Sequence, residues 1–233
     1  MKNRVTILGC GSSLGSPWIT NYMGKLKKNK KNLRTRCCAH VQYGSLSVLD
    51  TSPDIKLQFL TNKIKNLDAI IYTHEHADQT SGIFEMRPFY WKNMKKIPVY
   101  ASNRTIKALL SKYTFCFKPR HGYKPIMKAN IVKNSFKIKN KKNTMKIIPF
   151  DVIHGMIKAT GFLFEKVAYI SDCNKIPNSS IKNLYNLNYL VLDCLKLSKH
   201  PSHFSLSEAL ELINLVRPKK TILTNLHTDL DYN

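Results

Sequence analysis

Two histidines, two carboxylates and an amide crowd into six residues at His74-Glu75-His76-Ala77-Asp78-Gln79. The apolar run from Leu67 to Tyr72 just before them reads as a buried strand that stops at Thr73. Zinc and manganese take imidazole and carboxylate ligands, and a loop at a strand end holds such ligands still. His74 and His76 are two apart, so in an extended segment their rings leave on one side and grip one ion. Asp78 and Gln79 follow where the chain turns into a helix and face a second ion next door. A lone His-x-His would read as a solvated polar loop. The further Asp after a buried strand makes a ligand cluster the better reading.

This stretch resembles the His-x-His-x-Asp-His signature of the metallo-β-lactamase fold hydrolases, with Gln79 where the signature ends in His. Gly9-Cys10-Gly11-Ser12-Ser13, Asp50-Thr51-Ser52-Pro53-Asp54, His154-Gly155, Ser171-Asp172, His200-Pro201-Ser202-His203 and Leu223-Thr224-Asn225-Leu226-His227 follow in the family's order. Together they resemble the branch related to PhnP, a cyclic-phosphate phosphodiesterase. The resemblance implies a four-layer αβ/βα sandwich, an α/β fold of two packed mixed sheets with outer helices. It implies two divalent ions, zinc or manganese: the first on His74, His76, His154 and bridging Asp172, the second on Asp78, Asp172 and His227. Gln79 is a poor donor to that second ion, so its site is expected to be weak. Asp50 and Asn225 support the ligands from behind, and Asp78 counts among the catalytic residues. His203, just ahead of a helix, is read as the proton donor, with His200 as its backup. Some relatives carry a cysteine-based structural zinc after the first glycine-rich turn. Pro17 to Gly24 holds no cysteine, so that zinc is not expected.

These residues need elements to position them. Arg4 to Leu8 reads as a strand; beyond it Gly9, Gly11 and Gly15 permit close backbone approach, and peptide N–H groups around Ser12 could face an anionic substrate. Ala39–Tyr43 and Leu46–Asp50 form a hairpin turning at Gly44-Ser45. Ser52 suits an N-cap and Pro53 a first helical residue, with Ile55, Leu57, Phe59, Leu60 and Ile64 as the apolar face. Arg87 either clamps a phosphate or pairs with a carboxylate. Ile97–Ala101 is a strand, and a helix runs from Asn103 through Leu110. Tyr113–Ile126, aromatic and basic, is a substrate wall or packing. Met145–Ile153, Gly161–Glu165, Val167–Ser171, Tyr189–Leu192 and Lys219–Leu223 are strands; the last is expected to deliver Asn225 and His227 on one side. Ser205 and Glu208 form a capping box for a helix packed through Leu206, Ala209, Leu210, Leu212, Ile213 and Val216.

The chain of 233 residues suits one α/β domain spanning 1–233, and its 43% apolar content is ordinary for a globular protein. No apolar run reaches 18 residues and the start is too short for a signal peptide, so the expected location is cytoplasmic. Six cysteines without a C-x-x-C pair read as reduced thiols, Cys173 among the buried ones. The net charge of +24 is mostly Lys, accompanied by many Asn and Ile, a bias that A/T-rich codons produce. Lys25–Arg36 packs seven basic residues into twelve, as a substrate-guiding flap or a solvated run. Lys137–Lys146 reads as a hairpin loop in solvent. The expected activity is hydrolysis of a small, cyclic or linear, phosphodiester. The alternatives are an RNA- or DNA-processing nuclease of the same fold and a nucleic-acid-binding protein with a decayed metal site. No membrane partner is expected, and a homodimer stays open.

Overall fold

Apolar runs flanked by turn residues set the strands of this chain. The computed structural model describes residues 4–43, 46–120, 122–139 and 144–232. The chain of the expected single domain divides into two compact units: residues 1–8 with 38–146, and residues 9–37 with 147–233. The turn expected at Gly44-Ser45 lies outside the described residues, as do His121 and the middle of the Lys137–Lys146 run.

In the first unit, β1 (Arg4–Gly9), β2 (Cys38–Gln42), β3 (Leu46–Leu49), β4 (Ala69–Ile71), β5 (Ile97–Ala101) and β6 (Met127–Ile131) form one sheet in chain order. β2 and β3 are antiparallel, while β3, β4, β5 and β6 run parallel. Parallel neighbours need crossovers, supplied by α1 (Ile55–Thr61), by α2 (Ala77–Thr80) with α3 (Arg87–Asn93), and by α4 (Asn103–Lys112) with α5 (Thr114–Phe117). Ala69, Ile70 and Ile71 are fully buried, as a parallel strand covered on both faces requires. Ile70 packs with Val48, Val99, Ile106, Leu109 and Met127.

The helix expected from Ser52 starts later, at Ile55. Ser52 Oγ accepts from the Asp54 N–H at 3.2 Å, a local turn that competes with helix and delays it. Its face is also narrower than expected: Ile55 and Phe59 are buried, but Leu57 and Leu60 are exposed. The Lys137–Lys146 run is not all loop, because β7 (Phe136–Lys139) and β8 (Thr144–His154) take up both its ends. Alternation is the reason: Ile138 is buried between exposed Lys137 and Lys139, and Met145 between exposed Thr144 and Lys146.

The second sheet has the order β12-β11-β10-β9-β8-β7, with β9 (Ile157–Phe164), β10 (Val167–Ile170), β11 (Tyr189–Asp193) and β12 (Lys220–Thr224). β8, β9 and β10 are antiparallel; β10, β11 and β12 are parallel. A short helix, α6 (Asn178–Ile181), lies between β10 and β11, and α7 (Leu206–Val216) between β11 and β12. α7 begins with the expected capping box of Ser205 and Glu208, and Ala209, Leu212 and Val216 are its buried face. Register then sets the site. Ile170 pairs with Leu192, and Asp193 with Thr224, so the chain leaves three parallel strands on one edge carrying Asp172, Asp193 and Asn225.

Candidate metal centre

In the first unit the metal loop is anchored before it begins. β3 and β4 run parallel with Leu49 opposite Ile71, so Asp50 and Thr73 meet just beyond the pair. Asp50 accepts from the Thr73 N–H at 2.8 Å and from its hydroxyl at 2.9 Å. With that proton committed, Thr73 Oγ1 accepts from His74 Nδ1 at 3.0 Å, so the lone pair of His74 sits on Nε2, the ligating end. Asp50 is fully buried and has φ 63°, a left-handed turn off the strand. The rings of His74 and His76 are 4.5 Å apart, together as their spacing required.

Glu75 turns the other way, into Arg104 Nε at 2.6 Å and Thr105 Oγ1 at 3.3 Å on α4, while Lys112 Nζ donates to its carbonyl at 2.9 Å. Burial alone would raise the Glu75 carboxyl, but the hydrogen bond and charge of Arg104 outweigh it and hold the pKa below the ordinary value. Asp78 opens α2, and Gln79, fully buried, donates Nε2 to Asp78 Oδ2 at 3.3 Å. The guanidinium of Arg87 lies over the rings of Phe84 and Trp91, at 4.3 and 4.5 Å.

The second unit gathers the other donors. Ligand atoms of His154, Asp172 and His203 all lie within 4.8 Å of one another. His154 Nδ1 is 2.7 Å from the Ser202 carbonyl, so it donates there and leaves the lone pair on Nε2. His203 Nδ1 is 2.9 Å from Asp193 Oδ2, which turns its Nε2 likewise toward the cluster. Asp193 is fully buried and also accepts from the Cys173 N–H at 2.9 Å. Burial pushes its carboxyl above the ordinary value, against the pull of His203. Sequence reasoning took Asp193 only as the end of a strand. Its signal was the one Asp50 and Asp172 share, a carboxylate closing an apolar run. His200 stands beside the cluster, its ring 5.2 Å from that of His203 and its Nδ1 3.3 Å from the Ser202 N–H. Burial, then the charge of His203, lowers its pKa.

β12 ends at Thr224, before Asn225 and His227. Asn225 has φ 62°, so the backbone leaves β12 in a left-handed turn and the strand's alternation ends before His227. The Asn225 amide reaches Asp172 Oδ1 at 3.3 Å and Asp193 Oδ1 at 3.0 Å. His227 Nδ1 pairs with Asp229 at 3.3 Å, its ring is edge-on to Trp18, and among the described residues it joins no group of three donors.

Three amides of the glycine-rich turn are spent within the protein. The N–H groups of Gly11, Ser12 and Gly15 donate to the carbonyls of Thr35, Leu226 and Ser12. A Cβ on Gly11 would sit 2.9 Å from the Arg34 carbonyl, so the glycine serves close packing. The basic loop is partly structural too. Arg34 is buried, with Nη1 on the His227 carbonyl at 3.2 Å and Nη2 on the Leu230 carbonyl at 2.6 Å.

Imidazoles with their Nδ1 protons committed, beside buried carboxylates, suit a divalent cation. Of the residues the resemblance assigns around a second ion, Gln79 gives its Nε2 to Asp78, and the Asn225 amide holds Asp172 from behind.

Residues 47–225 match the Beta-lactamase superfamily domain. A crystal structure of a new diphosphatase from the PhnP family is 30% identical with a TM-score of 0.87, over 98% of this chain and 88% of that one. The chain belongs to the beta-lactamase superfamily, in its PhnP-like branch. Its two six-stranded mixed sheets with helices are those of the metallo-β-lactamase sandwich, and its described residues include donors that could hold a metal ion. Human tRNase Z, short form, shares the fold at 16% identity and a TM-score of 0.69, over 96% of this chain and 92% of that one. The Octanoyltransferase of Porphyromonas gingivalis (strain ATCC BAA-308 / W83) is 26% identical over 229 residues, 96% of this chain. This chain spans about half of that curated relative, 46% of its length. No helix among the described residues is long and apolar enough to cross a membrane.

Proposed function

We propose that this PhnP-like chain is a metal-dependent phosphodiesterase acting on a small, cyclic or linear, phosphodiester. The observation that carries the reading is the meeting of His154 and Asp172, with His203 beside them and both imidazoles oriented through Nδ1. The ion would be held by His74, His76, His154 and Asp172, the set the family resemblance assigns. Zinc or manganese fits this mixture of imidazole and carboxylate. A bound ion supplies Lewis acidity toward a phosphoryl oxygen and a water acidified to a pKa near 7.

The protein's own part is orientation and one proton. The Thr73 hydroxyl and the Ser202 carbonyl fix the tautomers of His74 and His154. His203 spends Nδ1–H on Asp193, so Nε2 is the atom that hands a proton to the leaving alkoxide. Asp193, buried beneath, stabilises the charged ring while that proton is held.

A second reading follows from the PhnP-family diphosphatase: a diphosphate linkage in place of the diester. The two differ in the leaving group, since a phosphate leaves without the proton an alkoxide needs. Assay of one alkyl phosphodiester and one diphosphate diester with the metal-loaded protein tests the choice. Preference for the alkyl diester supports the proposal; turnover of the diphosphate alone replaces it with the second reading.

A further inference from the structure

The backbone of His76, an exposed residue, is gripped on both sides. On one side Glu75 gives its carboxylate to Arg104 Nε at 2.6 Å and to Thr105 Oγ1 at 3.3 Å, and its carbonyl accepts from Lys112 Nζ at 2.9 Å. On the other side the Thr80 hydroxyl donates to the His76 carbonyl at 2.9 Å. With that proton committed, Thr80 Oγ1 accepts from the Tyr113 hydroxyl at 3.2 Å. Arg104, Thr105 and Lys112 belong to α4, and Tyr113 is its C-cap. One helix therefore reaches the metal loop from four residues. Thr105 and Lys112 are seven apart, two helical turns, so they share a face. The helix is itself seated: Ser102 caps its start, and Ile106 and Leu109 are buried in the core of the first unit.

We infer that α4 is the positioning element of the metal loop, with Arg104 and Lys112 as positioning residues that set the affinity for the ion on His76. They act through the side chain and the carbonyl of Glu75, the residue between the two histidines. Magnitudes separate this role from plain stability. The Arg104 side chain is 58% exposed, and an exposed ion pair adds little to the folded state. Groups that hold a ligand from behind are worth about 10–100-fold in metal affinity, because the ion tolerates small errors in ligand placement poorly. The inference rests on the metal-dependent reading and adds to it the residues that set how tightly the ion is held.

The test is the zinc dissociation constant, measured by competition with a chromophoric chelator, alongside the thermal midpoint of the metal-free protein. Arg104→Met should raise Kd about 10–100-fold. Its midpoint should fall by less than about 4 °C. Placed on top of Glu75→Ala, the same substitution should raise Kd no further, since its partner is already gone. An unchanged Kd, a further rise on top of Glu75→Ala, or a midpoint loss beyond that limit overturns the inference and leaves the metal-dependent reading standing. A wild-type protein that binds no zinc overturns both. Lys112→Met, which frees only the Glu75 carbonyl, should also raise Kd and decides the matter should Arg104→Met not fold.

Discussion

At the scale of single residues, commitment of one ring nitrogen decides what the other can do. His203 gives Nδ1 to Asp193, so its Nε2 is the proton-transferring atom. His203→Gln should slow hydrolysis of a diester with an alkyl leaving group by about 10²–10⁴-fold. Bis-p-nitrophenyl phosphate, whose leaving group needs no proton at neutral pH, should lose less than about tenfold. Equal losses on the two substrates would remove the acid role. His40 shows the opposite use of burial. It is buried on β2 with Nε2 lacking a hydrogen-bond partner, and burial, aided by the charge of Arg4, lowers its pKa to about 4. The unfolded chain therefore takes up this proton first. The contribution of neutral His40 is full above about pH 6.5 and lost as pH falls toward about 4, worth roughly 3 kcal/mol. Urea unfolding across that window should show a His40→Phe variant losing less stability on acidification than the wild type. Parallel curves would exclude His40 as the sensitive group.

At the scale of elements, strand ends in parallel register place the chemistry, and this was the legible part. Buried runs closing in Asp50, His74, Asp172 and Asn225 could be read because parallel strands announce themselves as short apolar segments. The capping box of α7 was legible for the same local reason. What was not legible depended on a single backbone angle or a distant partner. The left-handed turn at Asn225 separates it from His227, and nothing in the residues 220–227 fixes that angle in advance. The partners of Glu75 lie on α4, and those of Arg34 near the end of the chain. Gly82 joins two elements: its N–H donates to the Thr51 carbonyl at 2.8 Å. A Cβ there would collide with the Ser52 carbonyl and come within 2.6 Å of Ile55 Cγ2. Gly82→Ala should therefore cost about 1–3 kcal/mol by overpacking. Thermal unfolding at the wild-type midpoint would refute this close approach.

At the scale of the whole molecule, the charge of +24 is the feature that would mislead about function. Part of it is used internally: Arg34 is buried, Arg104 holds the metal loop through Glu75, and Arg87 stacks on aromatic rings. A small diester touches few of the remaining lysines. Raising salt from about 50 to 200 mM should then change kcat/KM by less than about threefold, where a protein making many phosphate contacts loses about 10³–10⁵ in affinity. A steep salt slope on the small substrate would return the basic surface to the centre of the account. The most direct measurement is hydrolysis of bis-p-nitrophenyl phosphate by the purified protein before chelation, after chelation, and after return of zinc, manganese or nickel, with His76→Ala alongside. The account predicts turnover that vanishes on chelation, returns with metal and is lost in the variant. Turnover indifferent to chelation and to His76, or none with any metal bound, would contradict it.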